Sequence, residues 1–464
     1  MRVSLCLTCL TGAMSAACLA AEVPPSMRAV IEKSAAFGLG RYPISFWSYT
    51  NLNEHGQYMD EAEVEEWADA GFTVPQSPSF DPTKPEQVAH IRQLLDWAQA
   101  RGMKLIVCDP RTYARWMDRE GTLVVPDDYA AGIQAALRDF GDHPALFGFH
   151  VGDEPGAAEK DAFFSCLRMQ KELAPALHPF ANLLPHFPGI EERAGTDTWP
   201  NYLDEFSRES TADLVSYDCY AQMNPGQAGW QDYYRNLRLY REASVRNGIP
   251  FWNTVLSVGH FNYRCPSYDD IRWQFNTTVA SGAHGVLWFF YYMREPHVNY
   301  RLSPVDEHWN RTPTYDSIRR VQRSFNRFYG DLFTRLVSTR VTFSPDPFGG
   351  GAAFTPNGIV SRLQPETTPL LLGEFADLEG RRYVMLVNNS VTDNAHVSIT
   401  FPGADARAFS YDWSGHEYEG NAYSADSSAR DGNGLTISHF LAPGEEAVYR
   451  VESTSAAAEP IAVQ

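Results

Sequence analysis

Between residues 41 and 338, short apolar runs alternate with stretches whose apolar positions recur every three or four residues. Those are the periods of a buried strand and of an amphipathic helix. The pattern predicts a strand at 43–49 with a helix from about Asp60, a strand at 72–77 with a helix at 85–101, and a strand at 104–108 with a helix at 127–140. It continues with a strand at 146–152 and helix at 160–173, a strand at 179–184 followed by a long loop and short helix, and a strand at 214–220 with a helix at 230–247. The last two units are a strand at 250–257 with a helix at 268–281, and a strand at 285–292 with a helix at 315–336. Eight β-then-α units in about 300 residues fit a closed parallel barrel better than an open sheet.

Past Leu336 the helical period disappears. Runs at 341–343, 370–374, 382–387, 396–401, 408–412 and 447–451 alternate apolar and polar, split by Gly, Pro, Asn and Asp. The fold class expected is therefore α/β: a (β/α)₈ TIM barrel over residues 22–338 and a C-terminal all-β sandwich over 339–453. The small-residue tail 454–464 is expected to be disordered. The sandwich has Gly-rich turns and no convergent polar motif, and reads as an accessory packed on the barrel.

Residues 1–21 read as a secretory leader: Arg2, an apolar segment, then Ala20-Ala21 for cleavage. The stretch before Cys18 lacks the aliphatic residue of a lipidation box, so no anchor is expected there, and no later run is long enough to span a bilayer. The expectation is a secreted or periplasmic protein. Its formal charge is −19, or −20 without Arg2, which repels phosphate backbones and excludes nucleic acid as a partner. Three of seven cysteines leave with the leader; Cys108, Cys166, Cys219 and Cys265 have no zinc spacing, so no metal and no cofactor is expected. Cys219 and Cys265 fall at the same end of the barrel and are expected to lie close.

In such a barrel the site is built at the C-terminal ends of the strands. LFGFHVGDEPG, residues 146–156, stands out. With a period of two, Phe147, Phe149 and Val151 form one apolar set, while Gly148, His150, Gly152 and Glu154 face the axis. Glu154 then closes the inward row at the rim, where a carboxylate must be solvated, paired or used. Asp153 takes the opposite phase unless the strand bends, and would raise the pKa of Glu154 as a general acid needs. In LVSYDCYA, Ser216, Asp218 and Tyr220 share the inward phase, making Asp218 the second candidate, expected to stay ionised as base or nucleophile. Asp109 ends the third strand, with a turn role as the plainer reading. Trp47, Tyr49, Trp252, Trp288 and Tyr292 are aromatic strand-end residues able to stack on sugars, with Trp288 as floor; His150 and His260 are candidate hydrogen-bonders.

These residues resemble those of (β/α)₈ glycoside hydrolases. Asp153-Glu154-Pro155 is similar to the Asn-Glu-Pro of the large retaining clan, which implies Glu154 as acid/base. That clan also carries a glutamate at the end of strand seven, and PFWNTVLSVGH here has no carboxylate. FHVGDE, residues 149–154, resembles the Asp-Glu motif of family 20 hexosaminidases, and Asp-Glu pairs also mark family 123. This implies that Asp153 orients a substrate acetamido group acting as nucleophile while Glu154 protonates the leaving oxygen. Ser216-Tyr217-Asp218 and Trp288 look like chitinase-family positions. The expectation is a glycosidase acting on a poly- or oligosaccharide; a non-catalytic carbohydrate-binding barrel is the alternative.

Overall fold

The computed structural model describes residues 22–114, 124–294, 299–421 and 427–462, so the expected leader lies outside the described residues. In chain order the first part comprises α1 (Pro25–Ala36), β1 (Ile44–Phe46), α2 (Leu52–His55), α3 (Glu61–Ala70), α4 (Pro85–Ala100), β2 (Leu105–Val107), α5 (Tyr129–Phe140) and β3 (Leu146–Asp153). It continues with α6 (Lys160–Leu173), β4 (Phe180–Leu183), α7 (Ile190–Ala194), α8 (Trp199–Ser210), β5 (Val215–Asp218), α9 (Trp230–Asn247), β6 (Phe251–Leu256), α10 (Tyr268–Ala280), β7 (Val286–Phe289) and α11 (Pro313–Tyr329). Local chemistry marks the boundaries. Asp60 caps α3 by accepting the Glu63 N–H, Gly71 ends it at φ 89°, and Ser267 with Asp270 forms a capping box on α10.

The seven strands pair in parallel in the order β1-β7-β6-β5-β4-β3-β2. The predicted second strand closes the ring. Thr73 and Val74 donate to Ile44 O, while Lys104 and Ile106 donate to Thr73 O and Pro75 O, so this short extended segment bridges β1 and β2. Inside the ring, Phe37 and Leu39 from the end of α1 pack with Phe147, Phe180, Trp252 and Leu287 and plug the N-terminal end. Outside it, Phe149, Val151, Tyr217 and Trp288 fill the layer between strands and helices.

The C-terminal strands form two sheets, antiparallel except for one short parallel pair in which Thr342 and Phe343 meet Ala352 and Ala353. Strands Leu370–Ala376 and Arg382–Asn388 are buried on both faces. Leu370, Leu372, Val384 and Leu386 meet Val397, Ile399, Phe401 and Ile437 of the other sheet, while Leu371, Phe375, Tyr383 and Met385 pack toward the barrel. Contact with α10 is backbone-close: a Cβ on Gly373 would lie 2.1 Å from Ala280 O, and one on Gly444 would lie 2.5 Å from Trp273 Cα. Trp273 Nε1 and Tyr234 OH both donate to Asn389 Oδ1 across the junction. The tail differs from the expected disorder. Ser453 caps a short helix, α12 (Thr454–Ala458); Glu459 O accepts from Arg382, and Ile461 is buried, so apolar and polar anchors hold the segment on the sandwich.

Candidate active site at the barrel mouth

β3 departs from a simple alternation twice. Its register shifts against β2 near Leu146–Gly148 and against β4 between His150 and Gly152. Each shift inserts a residue into one strand and re-aims the side chains beyond it. Phe147 consequently turns into the barrel interior, and Gly152 faces the helix layer, where an added Cβ would lie 2.7 Å from the Phe163 ring. Both differ from the predicted phase. Asp153 is brought inward instead of outward, paired in register with Asn182, and Glu154 comes next at φ 46°, its N–H donating to Asn182 O at 2.9 Å. A left-handed glutamate is costly, and such strain is retained where the surrounding structure fixes it.

On β5 the period of two holds. Tyr217 stacks on Tyr240 at 3.8 Å between centroids in the helix layer, while Ser216 and Asp218 point inward. Three carboxyls therefore converge: Asp153, Glu154 and Asp218, with Glu154 hydrogen-bonded to Asp218. Asn182 ties them together. Its Nδ2 donates to Asp153 Oδ1 at 3.1 Å and to Asp218 Oδ1 at 2.8 Å, and its Oδ1 accepts from Ser216 Oγ at 3.2 Å and Thr254 Oγ1 at 3.3 Å. Tyr220 also hydrogen-bonds Asp218.

Burial raises the Asp218 pKa well above the usual carboxylate range, and the charges of Glu154 and then Asp153 add to it. Burial raises that of Glu154 as well, opposed by the Asp218 hydrogen bond and by Arg193, whose NH2 lies 3.9 Å from Glu154 Oε2. The expected ionised Asp218 is thus corrected: like charges gathered in a poorly solvated place retain protons. Glu154 and Asp218 therefore titrate as a pair, with the charge of Asp153 beside them.

Aromatic rings wall the mouth. Tyr49 is partly exposed and carries the Arg294 guanidinium 4.0 Å above its ring. Tyr220 stacks on Phe289 at 5.0 Å; His260 sits among Tyr220, Phe261, Tyr263, Phe289 and Tyr300, itself buried, which holds its pKa down. Phe261, 55% exposed, stands at the edge. Below the acids, His150 is enclosed by Trp47 and Tyr113 and packs against Phe180. Trp47 is nearly buried and reaches Tyr49 above it.

Four predicted binding residues stand elsewhere. Trp252 is fully buried at the closed end of the barrel against Phe37, Phe147 and Phe180. Trp288 points outward and donates Nε1 to Gln322 on α11, so it is no floor to the mouth. Tyr292 binds Trp67 and Glu63 on α3 through its hydroxyl. Asp109 is buried and fork-paired with Arg111. In each case hydrogen bonding or packing within the protein already engages the group. Cys219 faces Asn236 on α9 and Cys265 lies against Arg301 O; both are free thiols, with no bridge between them. Among the described residues no cluster of His, Cys, Asp and Glu is arranged to hold a metal ion, and no helix is long and apolar enough to cross a membrane.

Asn182, Arg193, Arg294, Tyr263 and Tyr300 also belong to the mouth, and strand spacing singles out none of them. Only Asn182 carries a signal in the sequence, as an amide inside the otherwise apolar run FANLL.

No protein-family model matches the chain, and no curated sequence does. Solved structures with similar folds include a family 39 glycoside hydrolase from Bacteroides cellulosilyticus WH2, at 12% identity and TM-score 0.48 over 93% of this chain and 83% of that one. A β-galactosidase from Marinomonas ef1 is similar at 11% identity and TM-score 0.47, over 65% of this chain and 63% of that one. Saccharomyces cerevisiae Gas2p in complex with laminaripentaose is similar at 13% identity and TM-score 0.44, over 61% and 64%. This chain thus spans just under two thirds of the latter two.

Proposed function

We propose that the chain hydrolyses O-glycosidic bonds of a poly- or oligosaccharide, with Glu154 protonating the departing sugar oxygen. The observation that carries this reading is the meeting of Asp153, Glu154 and Asp218 at an open barrel mouth walled by Tyr49, Tyr220 and Phe261. Aromatic faces suit the apolar faces of sugar rings, and a carboxyl whose pKa is raised by burial suits proton donation.

The second catalytic group is chosen by spacing. Two-carboxylate glycosidases hold their acids about 5 Å apart or more, leaving room for the anomeric centre, with or without a water. Glu154 and Asp218 share a hydrogen bond, which is closer than that. This supports a substrate-assisted route. The carbonyl oxygen of a 2-acetamido group bonds to the anomeric carbon as the glycosidic C–O bond breaks, and Glu154 gives its proton to the leaving oxygen. Asp153, exposed at the rim and held by Asn182, accepts the acetamido N–H. Water then opens the cyclic intermediate, losing its proton to the Glu154 carboxylate.

Paired aryl glycosides test this reading, one series with a 2-acetamido group and one with a 2-hydroxyl. Cleavage confined to the acetamido series is the expected result. Equal cleavage of both would return Asp218 to the role of base or nucleophile. Sugar binding with no cleavage of either series, or of a polysaccharide panel, would leave a carbohydrate-binding barrel.

A further inference from the structure

We infer that Asn182 is a positioning residue that fixes where the three-acid cluster keeps its proton, an inference resting on the reading of Glu154 as the acid. All three acids converge on this one residue: its side chain donates to Asp153 and Asp218, and its backbone carbonyl accepts from Glu154 N.

The amide is oriented by its other end. Ser216 Oγ on β5 and Thr254 Oγ1 on β6 both donate to Asn182 Oδ1. Flipping the amide would turn Oδ1 toward two carboxyl oxygens and the NH2 group toward the two hydroxyls. The hydroxyl pair therefore keeps both amide protons aimed at the acids. An amide N–H can only donate, and it binds an ionised carboxylate more strongly than a protonated one. Asn182 accordingly favours the ionised forms of Asp153 and Asp218. Glu154 receives no side-chain bond from Asn182, so Asn182 pushes the proton away from Asp153 and Asp218 and toward Glu154, against the burial of Asp218 and the Asp218 hydrogen bond to Glu154, which both act the other way.

The other groups around the pair do not select between them in this way. Tyr49, Tyr220 and Tyr263 line the mouth, and Tyr202 on α8, Tyr217 on β5 and Tyr240 on α9 lie behind the acids in the helix layer; all carry raised pKa values that keep them neutral. Arg193 on α7 is the cation beside Glu154, and it favours the Glu154 carboxylate. Asn182 works against it.

The test measures carboxyl titrations by ¹³C NMR in the full chain without substrate, in the wild type, Asn182→Ala and Thr254→Val. Glu154 is identified by the signal lost in Glu154→Gln. In the wild type Glu154 should hold its proton to higher pH than Asp153. In Asn182→Ala its titration should move down by about one pH unit, the equivalent of one hydrogen bond. The alkaline limb of kcat/KM should move down with it. Should Asn182→Ala not fold, Thr254→Val, which frees the amide at one anchor, should give a smaller shift of the same sign. An unchanged Glu154 titration in a folded variant overturns the inference. Because no sugar is present, a shifted titration in a protein that cleaves no glycoside would uphold the proton bias and reject the hydrolase reading.

Discussion

Two aspartates close strands of the same barrel and meet opposite surroundings. Asp109, just beyond β2, is buried and takes four hydrogen bonds from Arg111: Nε to both carboxylate oxygens, NH2 to Oδ2 at 2.6 Å, and the backbone N–H to Oδ1. Arg111 also pairs with Asp139, so one guanidinium serves both aspartates at the β2 end. Asp218, at the end of β5, has an amide and a phenol as donors and two further acids as neighbours. Charge matched by a cation holds a loop in place. Charge gathered with like charge keeps a proton in reserve, and at a solvent-reached mouth that proton can be passed to a substrate.

Breaking the first arrangement should have the larger effect on stability. Arg111→Ala leaves Asp109 buried without its cation and should cost about 3–5 kcal/mol, read as a lower urea midpoint. The active-site acids should be untouched, so kcat/KM per folded molecule should stay near wild type. A large fall in kcat/KM at unchanged stability would move Asp109 into the site and erase the contrast.

The second arrangement should respond in the opposite direction. Asp218 has a raised pKa when folded, so the folded state binds more protons than the unfolded one between the two values. Its contribution is therefore most favourable below an unfolded pKa of about 3.9 and is lost as pH rises toward the raised folded value. Asp218→Asn removes that loss. The variant should be more stable than wild type at pH 7 by roughly 0.5–2 kcal/mol, with the difference vanishing near pH 3. Urea melts at the two pH values measure it. A variant less stable than wild type at pH 7 would show that Asp218 is a satisfied structural charge like Asp109.

The same contrast explains what could be read from the sequence. The barrel was legible because its strands and helices carry distinct hydrophobic periods, and Asp218 was placed correctly because β5 keeps a strict alternation. β3 does not. Its two register shifts move Phe147 and Asp153 inward and Gly152 outward, and the sequence marks them only by Gly148 and Gly152, one at each shift. Trp288 and Tyr292 looked like sugar platforms because residue type alone cannot reveal that Gln322 and Glu63 hold them on the helix side. Asp109 was ambiguous for the same reason, its partner being decided by the turn at Pro110–Thr112. The tail was misread because its small residues suggested solvation, while Arg382 and the sandwich hold it.

The central claim is that Glu154 is the proton donor, and the dependence of kcat/KM on leaving-group pKa tests it most directly. Across a series of aryl glycosides the wild type should vary little, because protonation rescues poor leaving groups. Glu154→Gln should lose about 10²–10⁴-fold with the poorest leaving groups and remain close to wild type with dinitrophenolate. The slope should therefore steepen sharply. An unchanged slope in Glu154→Gln, whatever its absolute rate, would remove this residue from the acid role and contradict the account.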